Sequence, residues 1–79
     1  MTADVTVRYW AGARRAAGTA EEVTQATSIK ELRDEFARRP ELASLAAVVA
    51  FLVNNEKSDD NTALEPGAVV DVLPPFAGG

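Results

Sequence analysis

The chemistry that this chain could perform centres on its last residue, because the carboxylate of Gly79 stands at the tip of a slim tail. Glycine has no Cβ, so Gly78 and Gly79 can pass through a channel too narrow for a side chain. Pro74 and Pro75 each hold φ at about −65° and lack a backbone donor, which favours an extended stalk. A terminal carboxylate in this setting can be activated as an acyl-adenylate and then accept a sulfur atom or an amine. The pattern predicts a reactive tail, and a glycine pair without function is the alternative.

Other kinds of reactive site find little support in the sequence. The chain has no cysteine and no histidine, which excludes disulfides and thiol nucleophiles and removes the commonest general base and metal ligand. The acidic residues Glu56, Asp59 and Asp60 lack the ligand spacing and central glycine of a calcium loop. Gly12 and Gly18 are not followed by the Gly-Lys-Ser/Thr sequence of a phosphate-binding loop. We therefore expect no metal site, no bound cofactor and no autonomous enzyme.

Composition describes one small acidic domain. Seventy-nine residues suffice for a single domain, and 47% hydrophobic content is ample for its core. The net charge is −4 and the pI about 4.6, whereas nucleic-acid binders usually present a basic patch. No apolar run approaches the roughly 20 residues that span a bilayer. We therefore expect a cytoplasmic protein with no nucleic-acid or membrane partner.

Two strands are predicted in the first third of the chain. Residues 5–10 alternate between apolar and polar types, which is typical of a strand with one buried face. This alternation places Tyr9 toward the core and Trp10 on the outer face. The two glycines in 11–18 predict a loop, and 19–27 is a weaker strand candidate. The short connection predicts an antiparallel hairpin.

One helix is predicted after this hairpin. Ser28 and Glu31 have the spacing of a capping box, in which each side chain bonds an orphan backbone N–H of the other. Pro40 ends the helix, because the residue before proline avoids the α region. A further helical turn could follow at 41–46. The predicted apolar face consists of Ile29, Leu32, Phe36 and Ala37.

Three more strands complete the predicted sheet. Residues 48–53 are continuously apolar, a short strand is expected around Lys57, and 68–73 alternate again. A carboxylate on the core face would be costly, so Asp71 and Leu73 are predicted to face outward and to be exposed. The outward-facing Trp10 and Leu73 would then form an apolar patch at the root of the tail, if the first and last strands are neighbours. We interpret this patch as a partner interface, and scattered surface apolar residues are the alternative.

The order of elements predicts an α+β fold of the β-grasp (ubiquitin-like) type. Its mixed sheet of four to five strands would carry one main helix packed on one face. Residues 1–73 would form this domain, and 74–79 would form an extended tail. The tail consists of Pro74, Pro75, Phe76, Ala77, Gly78 and Gly79.

Short motifs along the whole chain resemble one family. They are Val-x-Val-x-Tyr in strand 1, Ser28 to Leu32 at the helix start, Val53-Asn54, Leu64 to Gly67, and Val72 to Gly79. Together they resemble the MoaD/ThiS sulfur carriers among the ubiquitin-like β-grasp proteins. The Pro-Pro-x-x-Gly-Gly ending is more similar to the MoaD type, the small subunit of molybdopterin synthase, than to the ThiS type of the thiazole pathway.

The resemblance implies a carrier whose chemistry resides mainly in its partners. An E1-like adenylyltransferase/sulfurtransferase would use ATP-Mg to adenylate Gly79 and would then form a thiocarboxylate there. The tail would enter the large subunit of molybdopterin synthase, complete that active site and donate sulfur in molybdenum cofactor biosynthesis. Three alternatives remain: a carrier for thiazole or cysteine synthesis, a ubiquitin-like protein modifier, and a β-grasp interaction module without a reactive tail.

Overall fold

The computed structural model describes residues 4–75, which form five strands and two helices. In chain order these are β1 (Val5–Tyr9), α1 (Ala11–Ala17), β2 (Glu21–Thr24), α2 (Ile29–Ala37), β3 (Ala50–Val53), β4 (Glu56–Lys57) and β5 (Val69–Leu73). The four strands for which the sequence pattern predicts a range are one to three residues shorter at one or both ends than predicted. No helix within the described range is long and apolar enough to cross a membrane.

The strands form one mixed sheet in the order β2-β1-β5-β3-β4. β1 and β5 are parallel, with Thr6 opposite Val69 and Tyr9 opposite Val72, whereas the other neighbouring strands are antiparallel. The predicted antiparallel pairing of β1 with β2 and the predicted adjacency of the first and last strands are confirmed, although α1 and not a short loop connects β1 to β2. The β-grasp architecture is therefore confirmed, with β5 at the centre of the sheet.

Helix α2 begins where its capping residues predict. The Ser28 hydroxyl accepts a hydrogen bond from the Glu31 backbone N–H at 3.2 Å. The Glu31 carboxylate in turn accepts from the backbone N–H of Thr27 at 3.0 Å, one residue before the usual capping-box partner. The helix ends at Ala37, with Arg38 as its C-terminal cap, two residues before Pro40.

The core lies between the sheet and α2. Phe36 of α2 is buried between two aromatic rings of the sheet, with ring centroids 5.9 Å from Tyr9 and 5.6 Å from Phe51. Because side chains alternate between the two faces of a strand, every second side chain of β1 and β5 points into this core. The fully buried residues with the largest side chains are Phe36, Ile29, Leu32, Leu42, Val5, Val7, Val70 and Val72.

The prediction of a loop at 11–18 is wrong, because Ala11–Ala17 form helix α1. Gly18 ends this helix at φ 77°, a left-handed conformation that glycine adopts without strain, and its N–H donates to the Arg14 carbonyl at 3.0 Å. Ala13 is fully buried in the core. A run of good helix formers followed by glycine was therefore the correct signal, whereas the glycine content pointed to a loop.

The connection between α2 and β3 is a series of hydrogen-bonded turns over 38–48 instead of a further helix. It buries Leu42 and Ala46 against the core. Arg33 of α2 contacts the end of this connection. One N–H of its guanidinium donates to the Ala46 carbonyl at 2.6 Å, and the guanidinium lies 4.9 Å from the centroid of the Phe51 ring. β3 consequently starts at Ala50, two residues later than predicted.

Candidate functional site

The root of the tail lies at the end of the central strand. β5 passes directly into Pro74, which is buried, and Pro75, which is exposed. The rest of the predicted tail, Phe76 and Ala77 followed by Gly78 and the reactive Gly79, lies outside the described residues. Their roles, and the division into a domain of 1–73 and a tail of 74–79, stay predictions.

Trp10 stands beside this root. It follows β1 directly, and its backbone N–H donates to the Val72 carbonyl of β5 at 3.3 Å. The parallel register, in which Tyr9 lies opposite Val72, brings Trp10 next to Leu73. Trp10 is 47% exposed, as the strand alternation predicts, but Leu73 is half-buried and not fully exposed. We call these two residues the root patch.

The expected exposure of Asp71 is wrong, because this residue is only 5% exposed. Its side chain does point away from the core, but two neighbours from the β1 side cover it. Its carboxylate accepts from Arg8 Nε at 2.7 Å and Nη2 at 3.1 Å, and from the Trp10 indole Nε1 at 2.9 Å. Ion pairing and full hydrogen bonding make burial of this charge tolerable.

The same contacts set the electrostatics of the cluster. The hydrogen bond from Arg8 lowers the pKa of Asp71 below its usual range; burial opposes this change, and the bond from Trp10 adds to it. The carboxylate is therefore ionised at neutral pH. The Arg8 guanidinium also lies 5.7 Å from the centroid of the Trp10 ring, within the range of a cation–π contact. Arg8, Trp10 and Asp71 thus form one connected cluster, which we call the root cluster.

Sequence reasoning missed the polar part of this cluster. Arg8 and Asp71 both occupy outward positions of strands that were predicted to be neighbours, so their opposite charges were an available signal. The register that places Arg8 directly opposite Asp71 was not available, because a parallel pair has no connecting turn to fix it.

A shallow depression of about 190 Å³ lies next to the indole. It is smaller than the roughly 300–1,000 Å³ of small-molecule sites and suits a single partner side chain. Residues 4–75 contain no cluster of three or more potential metal-ligating side chains. The depression is lined by Arg8, Tyr9, Trp10, Arg14, Ala20 and Glu21.

A second polar cluster lies near the edge strand β2, on the face of the sheet that packs against α2. The Tyr9 hydroxyl donates to Glu22 at 2.5 Å, and Arg39 donates to Glu22 at 2.8 Å and to Glu41 at 3.0 Å. The bond from Arg39 lowers the pKa of Glu22 against the opposing effect of burial, and burial together with Glu22 raises the pKa of Tyr9. These contacts join β1, β2 and the segment after α2, which is a structural role.

Comparison with known proteins places the chain in a family and agrees with its fold. A sequence model of the ThiS family matches residues 7–79 of the chain. No curated protein sequence matches it. A chain in the protein–protein complex of subunits 1 and 2 of molybdopterin-converting factor from Helicobacter pylori is 30% identical, with a TM-score of 0.75 and coverage of 96% of this chain and 99% of that one.

Two further solved structures share the fold. A Pyrococcus furiosus protein assigned as subunit 1 of molybdopterin converting factor has a TM-score of 0.78 at 24% identity, over 92% of this chain and 98% of that one. The small archaeal modifier protein 1 of Methanosarcina acetivorans has a TM-score of 0.76 at 20% identity, over 100% and 99%. At these identities the likeness concerns the fold alone.

Proposed function

The chain belongs to the ThiS family of ubiquitin-like sulfur carriers and modifiers, and from this premise we propose that it carries sulfur as a thiocarboxylate on Gly79 for molybdopterin biosynthesis. The observation that supports the proposal most is the extent of the family match, which runs through the tail to Gly79. The 30% identity to a chain of the Helicobacter pylori complex favours the molybdopterin pathway over thiazole or cysteine synthesis.

The proposed chemistry has two steps, both catalysed by an E1-like partner. An oxygen of the Gly79 carboxylate attacks the α-phosphorus of ATP-Mg bound by the partner, pyrophosphate leaves, and an acyl-adenylate forms. Hydrosulfide, supplied by a sulfur donor, then attacks the acyl carbon; AMP leaves with the bonding electron pair and a thiocarboxylate remains. The carrier itself needs no cofactor and no thiol for these steps.

The fold suits a carrier because it holds the root of the tail firmly. β5 is bonded on both sides, by β1 and by β3, and Pro74 is buried at its end. A tail that starts from the centre of a sheet extends from a fixed point, so its reach into a partner is set by the length of residues 75–79. We propose that the tail enters the active site of a molybdopterin synthase large subunit in this way.

The root patch is the proposed docking surface for both partners. We expect Trp10→Ala to weaken binding to the activating enzyme about thirtyfold, because an exposed aromatic hot spot contributes roughly 2 kcal/mol or more. The loss of unfolding free energy should stay near 1 kcal/mol, since the variant loses the hydrogen bond from the indole to Asp71 but retains the ion pair between Asp71 and Arg8. Titration calorimetry and urea denaturation on one preparation measure both quantities.

Val23→Ala is the matched control for this variant. Val23 is an apolar residue that is 62% exposed, on the edge strand β2. Its truncation should change neither affinity nor stability appreciably. If Trp10→Ala instead lost 3–5 kcal/mol of stability and kept its affinity, Trp10 would act as a core residue, and the docking proposal would be wrong.

Gly78 tests the proposal that the tail passes through a narrow channel. We expect Gly78→Val to reduce sulfur transfer about a hundredfold, because a displacement of about 1 Å at a reacting group can cost that much. Its stability should stay within about 0.5 kcal/mol of the parent, as for other surface changes. Ala43→Val, at an exposed position in the turns after α2, is the control. Normal transfer by Gly78→Val would contradict a constricted channel.

The pathway is tested by capture from native cells. A carrier for molybdopterin should retain a molybdopterin synthase large subunit, whereas retention of a thiazole or cysteine synthase would assign it to those pathways. Conjugation to lysines of other proteins would support the modifier alternative. Intact mass tests the interaction module, because a chain without a reactive tail never shows the exchange of one oxygen for one sulfur.

A further inference from the structure

Asp71 occupies a position where the fold would accept an apolar side chain. Its neighbours on the same face of β5 are Val69 and Leu73, and Leu52 of β3 lies opposite it in the register. Replacement of a buried ion pair by apolar residues is often neutral or stabilising. Stability of the sheet alone therefore does not explain why an Asp71–Arg8 pair stands at this position.

The indole of Trp10 is held at two places although almost half of the residue is exposed. Its Nε1 donates to Asp71 Oδ1 at 2.9 Å, and the Arg8 guanidinium lies 5.7 Å from the ring centroid. The indole does not serve as a helix cap, since the first turn of α1 receives no side-chain hydrogen bond from Trp10. The polar contacts of Trp10 thus determine the orientation of its ring and leave a large apolar area uncovered.

A single oxygen links the members of the root cluster. Asp71 Oδ1 accepts from both Trp10 Nε1 and Arg8 Nε, while Oδ2 accepts from Arg8 Nη2. Arg8 holds the carboxylate with two bonds, and the carboxylate holds the indole. A bidentate arginine–carboxylate pair is directional, so it fixes the place of the acceptor that the indole meets.

We propose that Asp71 is a positioning residue that holds the Trp10 indole, through its pairing with Arg8, in the orientation in which a partner binds the root patch. The inference rests on the proposed function for the identity of that partner, an E1-like activating enzyme. A side chain that is already ordered loses less conformational freedom on association. By that reason Asp71 strengthens docking roughly two- to tenfold without touching the partner.

The first experiment measures the indole in the isolated carrier. Trp10 is the only tryptophan in the chain, so its fluorescence anisotropy decay and its indole N–H relaxation report on one side chain. Asp71→Leu should increase the nanosecond motion of the ring and lower the urea midpoint only modestly, because the Arg8 side chain, which is 39% exposed, can still be solvated after it loses its partner. Asp71→Asn should restore much of the order, since the amide keeps an acceptor for Nε1.

The second experiment measures affinity for the E1-like activating enzyme. Asp71→Leu should weaken binding up to about tenfold in the parent chain and should have no effect in the Trp10→Ala background. Asp71→Asn should recover most of the affinity. Asp60→Ala is the matched control, because it breaks the exposed pair with Arg33, at 3.0 Å, and should change neither the indole signal nor binding.

Two results would overturn the inference. One is an indole as ordered in Asp71→Leu as in the parent. The other is an equal loss of affinity with and without Trp10, which would mean that Asp71 or Arg8 contacts the partner directly. If the parent chain binds no E1-like enzyme, the proposed function fails, and the indole measurement still decides whether Asp71 positions Trp10.

Discussion

A single alanine added after Gly79 should abolish ATP–pyrophosphate exchange by the activating enzyme while leaving the free energy of unfolding unchanged. The addition moves the carboxylate by up to about 3.5 Å and attaches it to a residue that carries a Cβ. A reacting group displaced by only about 1 Å can lose a hundredfold in rate. We therefore expect exchange to fall by at least about that factor, and deletion of Gly79 should have the same effect.

The control for this experiment is the same alanine placed before Met1. It changes length and mass equally but leaves the tail intact, so exchange should continue at the parent rate. The denaturation curves of the parent and of the three variants should coincide. Exchange at the parent rate by the chain extended after Gly79 would contradict the assignment of the reactive carboxylate and would favour an interaction module with an inert tail.

Phe36→Ala should cost about 3–5 kcal/mol of stability, which approaches the whole stability of a domain this small. The Phe36 ring is 2% exposed and packs between Tyr9 and Phe51, so its removal leaves a cavity between α2 and the sheet. Urea denaturation followed by far-UV circular dichroism measures the loss, and adenylation should decline with the folded fraction.

Val48→Ala is the comparison for Phe36→Ala. Val48 lies in the turns before β3 and is 51% exposed, so its truncation should change stability by no more than about 0.5 kcal/mol. Equal, small effects of both substitutions would show that the aromatic contacts of Phe36 do not hold α2 on the sheet.

Local signals predict the elements that are built from local contacts. Helix α2 follows from Ser28, Glu31 and Pro40, all within one continuous stretch. The predicted bond to the Ser28 hydroxyl is confirmed, whereas the Glu31 carboxylate accepts from Thr27 and not from Ser28. The alternation in β1 and β5 correctly assigns side chains to the two faces of the sheet. Helix α1 was missed because it is only seven residues long and buries a single small side chain, Ala13, so its apolar period is weak.

Contacts between distant residues were harder to predict. The face of Asp71 follows from alternation, but its burial depends on Arg8, which is 63 positions away in the chain. The cost of a buried carboxylate predicts exposure only when no partner is near. Trp10 could be assigned to the outer face from the alternation in residues 5–10. Its hydrogen bond to Asp71, however, depends on the same long-range register between β1 and β5.

The place of β5 in the sheet has a consequence for chains that lose their C-terminal part. β5 is the last strand in chain order, yet it lies between β1 and β3 and joins the β1–β2 pair to the β3–β4 pair. Without it, two separate two-stranded ribbons remain, and such ribbons are marginally stable in water. Proteases cleave chains that stay open. We therefore expect a chain truncated within β5 to be degraded, and not to persist as a folded competitor that occupies the proposed activating enzyme without a tail.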